Sequence, residues 1–301
     1  MPKLYQRWAT IPGNVRGSLI VLVASMVSVV MSALIKHVGR NIPVVEILFI
    51  RQLLVLMIIS PVIIRNLETV FATRVFRLHF MRSLFSVIAM FTGFTAVVHL
   101  PLAEVTAISF VRTLFTTVLA IFFLKEIVGI RRWGSVIFGF IGVLIIVRPD
   151  SNNINAYAML ALTSALFVSG INIVMRKLSQ IENPSTIMAY QSIFVTVVMA
   201  IPTFFLWVTP TPEETVFILV IGGLMSIMQW LFIQAFKAGE AAAIAPMEYA
   251  RLVFAAFIGF IFFAELPTLW SLSGAGIIMV STLYTMHRNA VKKRQKAPDG
   301  L

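Results

Sequence analysis

Long apolar stretches recur along the whole chain, each closed by a short polar break. A bilayer core of ~30 Å is spanned by ~20 apolar residues in helix. On that measure ten spans are predicted: 17–36, 44–64, 79–98, 102–123, 132–148, 156–175, 186–207, 215–236, 241–263 and 267–286. The fifth, "WGSVIFGFIGVLIIV", is the shortest and is rich in glycine. The breaks carry turn and helix-stop residues, as in "GRNIP", "HLP", "RPDSNN", "ENP", "TPTPEE" and "ELP". None of them is long enough to fold as a domain outside the membrane.

Composition makes lipid the solvent. The chain is 59% hydrophobic and only 12% charged, against about 45–50% and about 25% in soluble domains. Its net charge of +12 would suit nucleic acid if the basic residues formed one face, but they gather at span ends. With the N-terminus placed inside, 18 of the 24 Lys and Arg fall on inner segments. Three (Lys36, Arg40, Arg148) fall in outer loops and three (Arg51, Arg112, Arg251) within spans. Cytoplasmic loops are enriched in Lys and Arg, so both termini are expected in the cytoplasm and the basic pI is a topology signal. The first 17 residues are polar and basic with no A-x-A-like site after them, which predicts an uncleaved first span. The basic tail 287–301 is expected to be cytoplasmic, either solvated or touching anionic membrane lipid. With no cysteine, disulfides and thiolate chemistry are excluded. No metalloprotease, nucleophile-elbow, Walker or dinucleotide motif occurs, so neither an enzyme nor a cofactor is expected.

The two halves match each other. "KHVGRNIP" from Lys36 aligns with "KLSQIENP" from Lys177 at an offset of 141. "EVTAISFVRTLFTTVLAIFFLKE" (Glu104 to Glu126) aligns with "AIAPMEYARLVFAAFIGFIFFAE" (Ala243 to Glu265) at an offset of 139. That pairs Arg112 with Arg251 and Glu126 with Glu265. Five spans per unit is odd, so the second copy enters the membrane upside down. Inverted repeats are the architecture of many secondary transporters, with solute held near the midplane at their seam. A static duplicated bundle is the alternative.

The paired signature resembles the EamA domain, found twice in tandem in the drug/metabolite transporter superfamily. It is carried by Pro101, by Glu126 and Glu265 ending spans 4 and 9, and by the Trp and Gly pattern of spans 5 and 10. The resemblance covers about residues 17–286, divided as a first repeat over 17–148 and a second over 156–286. It implies an all-α integral membrane protein: ten transmembrane helices as two inverted five-helix repeats, in a bacterial inner membrane. Spans 1–4 and 6–9 would line a cavity, and spans 5 and 10 would be peripheral. It implies a transporter of small organic metabolites that are amino acid-like, S-adenosylmethionine-like or vitamin-like. A non-transporting structural protein or an intramembrane enzyme is the alternative. Coupling to a proton or counter-solute and homodimer formation stay open. Many copies carry a proline mid-way along span 4, roughly at Thr113; its absence here removes the usual cause of a break in that helix.

Ionisable groups at mid-bilayer are costly and therefore functional candidates. Arg112 and Arg251 lie about ten residues into their spans, ~15 Å deep at 1.5 Å per residue. Glu248 precedes Arg251 by three residues and shares its helix face. These three either line the solute path or form a buried inter-helix ion pair. Arg51, a third of the way into span 2, either faces the cavity or snorkels to the outer surface. Asn172, Tyr190, Gln191, Gln229 and Trp230 should face inward, lining a cavity or bonding a neighbouring helix. Trp230 and Tyr249 offer faces for a planar or cationic solute, or pack in the core. The expected solute is small and polar or zwitterionic. Arg112 and Arg251 would take its anionic group, while Glu248 would hold a cationic group or carry a coupling proton.

Overall fold

The structure is a computed structural model that describes residues 12–65, 71–124, 130–147, 155–238 and 245–296. Helices are the only regular elements among them: α1 (Gly13–Val38), α2 (Val44–Arg65), α3 (Phe76–His99), α4 (Leu102–Ser109), α5 (Arg112–Leu124) and α6 (Ile130–Val147) in the first half. The second half holds α7 (Ala156–Leu178), α8 (Pro184–Leu206), α9 (Pro212–Ala238), a 3-10 turn (Ala245–Tyr249), α10 (Ala250–Phe263) and α11 (Leu269–Lys296). Seven of the helical segments are long and apolar enough to cross a bilayer, Leu102–Phe123 counting as one. The remaining three of the ten are shorter or partly described. The helix α11 continues ten residues past the predicted end of span 10, into the basic tail.

Backbone polar groups cannot stay unpaired in hydrocarbon, and local side chains meet that demand where helices start or bend. Asn155 caps α7 by accepting from the amides of Tyr157 and Ala158. Pro61 interrupts the hydrogen bonding of α2, and Ser60 Oγ donates to the carbonyl of Met57 that Pro61 leaves free, 2.7 Å away. Pro202 holds the same place in α8, again at an offset of 141 from Pro61.

Helix neighbours follow the repeat. α1 packs along α9 and α3 along α7, and each pairing is the image of the other when the halves are exchanged. α2 packs on α8, and α6 packs on α11 at the edge of the bundle. The last pair cross so closely that a Cβ on Gly142 or Gly274 would strike the other's carbonyl. Large apolar side chains face outward, Phe204 being 82% and Leu269 83% exposed. Lipid accounts for such a surface; water does not.

The fourth segment breaks despite having no proline. α4 ends at Ser109, and Phe110 and Val111 form tight turns, with amide bonds from Phe110 to Ala107 and from Val111 to Ile108. α5 resumes at Arg112. The ninth segment breaks at the same place, the 3-10 turn ending at Tyr249 immediately before α10.

Candidate functional site

Each break delivers one arginine. Arg112 is the first residue of α5 and Arg251 the second of α10, so each projects from the start of a new helix near the centre of the bundle. The break is held from outside by Ser169 on α7, whose hydroxyl donates to the Arg112 carbonyl at 2.6 Å. Phe110 and Tyr249, paired by the repeat, lie against each other with ring centroids 4.7 Å apart.

The arginines make reciprocal contacts across that ring pair. Arg112 donates to Glu248 Oε2 at 3.1 Å, and Arg251 donates to Ser109 Oγ at 2.5 Å. Glu248 and Ser109 occupy equal positions in the two repeats, three residues before each arginine. The geometry is therefore nearly two-fold, and only the chemistry differs. Arg112 has a carboxylate, whereas Arg251 has a hydroxyl and the face of Phe110, 5.5 Å from its guanidinium carbon. Glu248 thus pairs between helices with Arg112, while it only shares a helix face with Arg251. The 3-10 turn rotates Glu248 relative to α10 and directs it at the first repeat.

These groups open on a cavity of about 720 Å³ walled by both halves, a size suited to a small organic ligand. Arg51, Arg112, Glu248 and Arg251 are its charged lining residues, and Asn172 and Gln191 also line it. Arg51 does not reach the membrane surface: it is 2% exposed and its guanidinium meets the sulfurs of Met225 and Met90 and the amide oxygen of Gln52.

Three of the candidate residues do not line the cavity. Trp230 is 58% exposed on the outside of α9, because its helix turns the cavity-facing positions Met225, Met228 and Phe232 inward instead. Tyr249 is consumed by the core with Phe110. Tyr190 sits away from the cavity near the end of the bundle where α3 and α8 begin, stacked on His79 at 4.6 Å and bonded to the Phe71 carbonyl at 3.3 Å. The Gln229 side chain lies outside the described residues, as does Glu126. Sequence reasoning missed Ser28, Ser32, Ser86, Thr106, Ser109 and Ser164, which give the cavity its hydroxyls. Only Ser109 had a signal, as the repeat-mate of Glu248.

A knot of contacts ties the helices together at the end far from the termini. Lys36, on the last turn of α1, forms a salt bridge with Glu265 and donates to the Leu100 carbonyl. The other Glu265 oxygen accepts from the Leu102 amide at 2.9 Å, capping α4. Glu265 is turned inward by Ala264, whose left-handed φ of 54° lets the Glu265 amide bond back to the Gly259 carbonyl. Lys36 is 3% exposed, while its repeat-mate Lys177, at the termini end, is exposed. Asn172, also toward that end, is exposed within the cavity wall. Among the described residues, the buried lysine contact therefore lies at the end far from the termini, and the exposed Lys177 and Asn172 lie toward the other end.

A model of the EamA-like transporter family matches residues 15–148 and again 155–286. The S-adenosylmethionine uptake transporter of Rickettsia bellii is 30% identical over 280 residues, covering 92% of this chain and 94% of that one. The riboflavin transporter of Brucella anthropi is 28% identical, covering 84% and 92%. The pseudopaline exporter CntI of Pseudomonas aeruginosa is 26% identical, covering 89% and 94%. A crystal structure shares the fold with a TM-score of 0.60 at 14% identity, over 89% of this chain and 96% of that one. The chain belongs to the EamA-like transporter family: it is a multi-pass membrane protein with two tandem copies of the domain, and its homologues are small-metabolite transporters of the drug/metabolite superfamily.

Proposed function

We propose that the chain is a secondary transporter that carries a small organic solute bearing a carboxylate across the cytoplasmic membrane by alternating access. The observation that carries this reading is the cavity between inverted repeats, with one arginine from each repeat at its centre and a carboxylate on only one of them. Arg251, with a neutral hydroxyl as its described hydrogen-bond partner, is the anchor for the solute's anionic group. Glu248 holds Arg112 in the empty cavity and is the group that meets a solute amine or takes up a coupling proton. The relatives' names span S-adenosylmethionine, riboflavin and pseudopaline and include both uptake and export, so the solute is argued from the cavity itself. The Lys and Arg bias argues for cytoplasmic termini, and in this reading the cavity opens to the cytoplasm, the side toward which Asn172 is exposed.

Counterflow of labelled amino acids, organic acids and vitamins in proteoliposomes tests the reading. The wild type should exchange at least one carboxylate-bearing solute. Arg251→Ala should abolish exchange and Glu248→Gln should impair it. Undiminished exchange in both variants would remove the arginine cavity as the solute path.

A further inference from the structure

The cavity holds three arginines and one glutamate among its described lining residues, and the third arginine is unusual. Arg51 is 2% exposed, yet no carboxylate contacts it among the described residues. Its Nη1 meets Met225 Sδ at 2.9 Å, its Nη2 meets Met90 Sδ at 3.3 Å and Gln52 Oε1 at 3.2 Å, and its Nε has no hydrogen-bond partner. The face of Phe94 lies 5.3 Å from its guanidinium carbon. Thioether sulfur is a weak acceptor, and a buried unpaired cation is costly. Methionine is also the most adaptable of apolar side chains. Met90, Phe94 and Met225 all line the cavity, so they stand between a carboxylate-free guanidinium and the space a solute would occupy.

We propose that Arg51 is a second anion subsite, capped by the thioethers of Met90 and Met225, and that the solute carries two acidic groups. This rests on the reading that Arg251 anchors a carboxylate. Arg51 lies seven residues from the start of α2, and Arg251 twelve from the end of α10, two helix ends on the same side of the bundle. At 1.5 Å per residue the two differ in depth by ~8 Å, so the acidic groups belong at the two ends of a chain of several carbons. Two anionic groups would also balance Arg51 and Arg251, while Glu248 already balances Arg112.

Thermal shifts of the detergent-purified full chain, titrated with adipate and with hexanoate, provide the test, since ligand raises stability according to its affinity. A charge-assisted hydrogen bond contributes ~1.5–3 kcal/mol, so wild type should bind adipate on the order of tenfold or more tightly than hexanoate. Arg51→Gln should bind both alike, at the wild-type hexanoate level. Met225→Leu keeps the guanidinium and removes one cap, so it should hold the adipate preference or sharpen it, and it stands in if Arg51→Gln does not fold. Equal binding of adipate and hexanoate by wild type, or loss of the preference in Met225→Leu, would overturn the second subsite while leaving the first. Binding of neither acid by any chain would instead overturn the carboxylate reading on which it rests.

Discussion

Arg112 and Arg251 occupy equal places in the two repeats, and each reaches the residue three positions before the other. The asymmetry at those positions sets the charge of the cavity, since Glu248 engages Arg112 while Ser109 leaves Arg251 with its charge to offer. Restoring the symmetry is a direct test. Ser109→Glu should place a second carboxylate on Arg251 that competes with the solute. A charge-assisted contact of ~1.5–3 kcal/mol predicts an affinity loss on the order of tenfold or more, measured as the half-saturating concentration in proteoliposome exchange, with the chain still folded. The arginines and Glu248 were legible in the sequence because charge stands out against an apolar run. Their partners were not, because helix periodicity orders residues within one segment and is silent on which segment faces it. The same silence left Trp230 and Tyr249 open between solute and packing: an aromatic ring at mid-depth gains as much from lipid or core as from a cavity.

At the scale of elements, the breaks in the fourth and ninth segments matter more than the helices they interrupt. At each, 3-10-type turns interrupt the α-helix near mid-depth and it starts again with an arginine in its first turn. Pro246 lies within the second break, where a proline disfavours regular helix, but the first has no such residue, since none from Leu102 to Leu124 is a proline or glycine. The break is flanked by the packing of Phe110 on Tyr249 and by the Arg112 carbonyl, which accepts from the Ser169 hydroxyl as well as from Thr116. Ser169→Ala should then destabilise the chain by roughly 1 kcal/mol, the net worth of one hydrogen bond. Thermal melting in detergent should show it as a lower midpoint, and solute affinity should fall with it because Arg112 is no longer held in place. An unchanged midpoint and affinity would mean that ring packing alone makes the break.

At the scale of the whole molecule, the duplication was readable from two offsets in the sequence, and the helix pairings follow it. What the sequence could not convey is which of two exchangeable arrangements the halves adopt. The bonds between connecting loops are alike at both ends: Thr73 bonds Glu182 at 2.6 Å at one, and Asn41 bonds Glu214 at 3.0 Å at the other. The described structure is lopsided in the knot of Lys36, Glu265, Leu100 and Leu102, which ties α1, α3, α4 and α10 together at the far end. Its central ion pair is largely buried, and removing one partner of such a pair costs about 3–5 kcal/mol. Glu265→Gln should therefore shift the balance toward opening at that end. A chain without cysteine makes the shift measurable. With Ser32→Cys as the single thiol, deep in the cavity wall, a membrane-impermeant maleimide should label the protein in oriented vesicles from the cytoplasmic side and not from the outside. Adding Glu265→Gln should expose the same thiol to the outside reagent. Labelling of Ser32→Cys from the outside alone, or from neither side in both chains, would contradict a cavity that opens alternately to the two faces of the membrane.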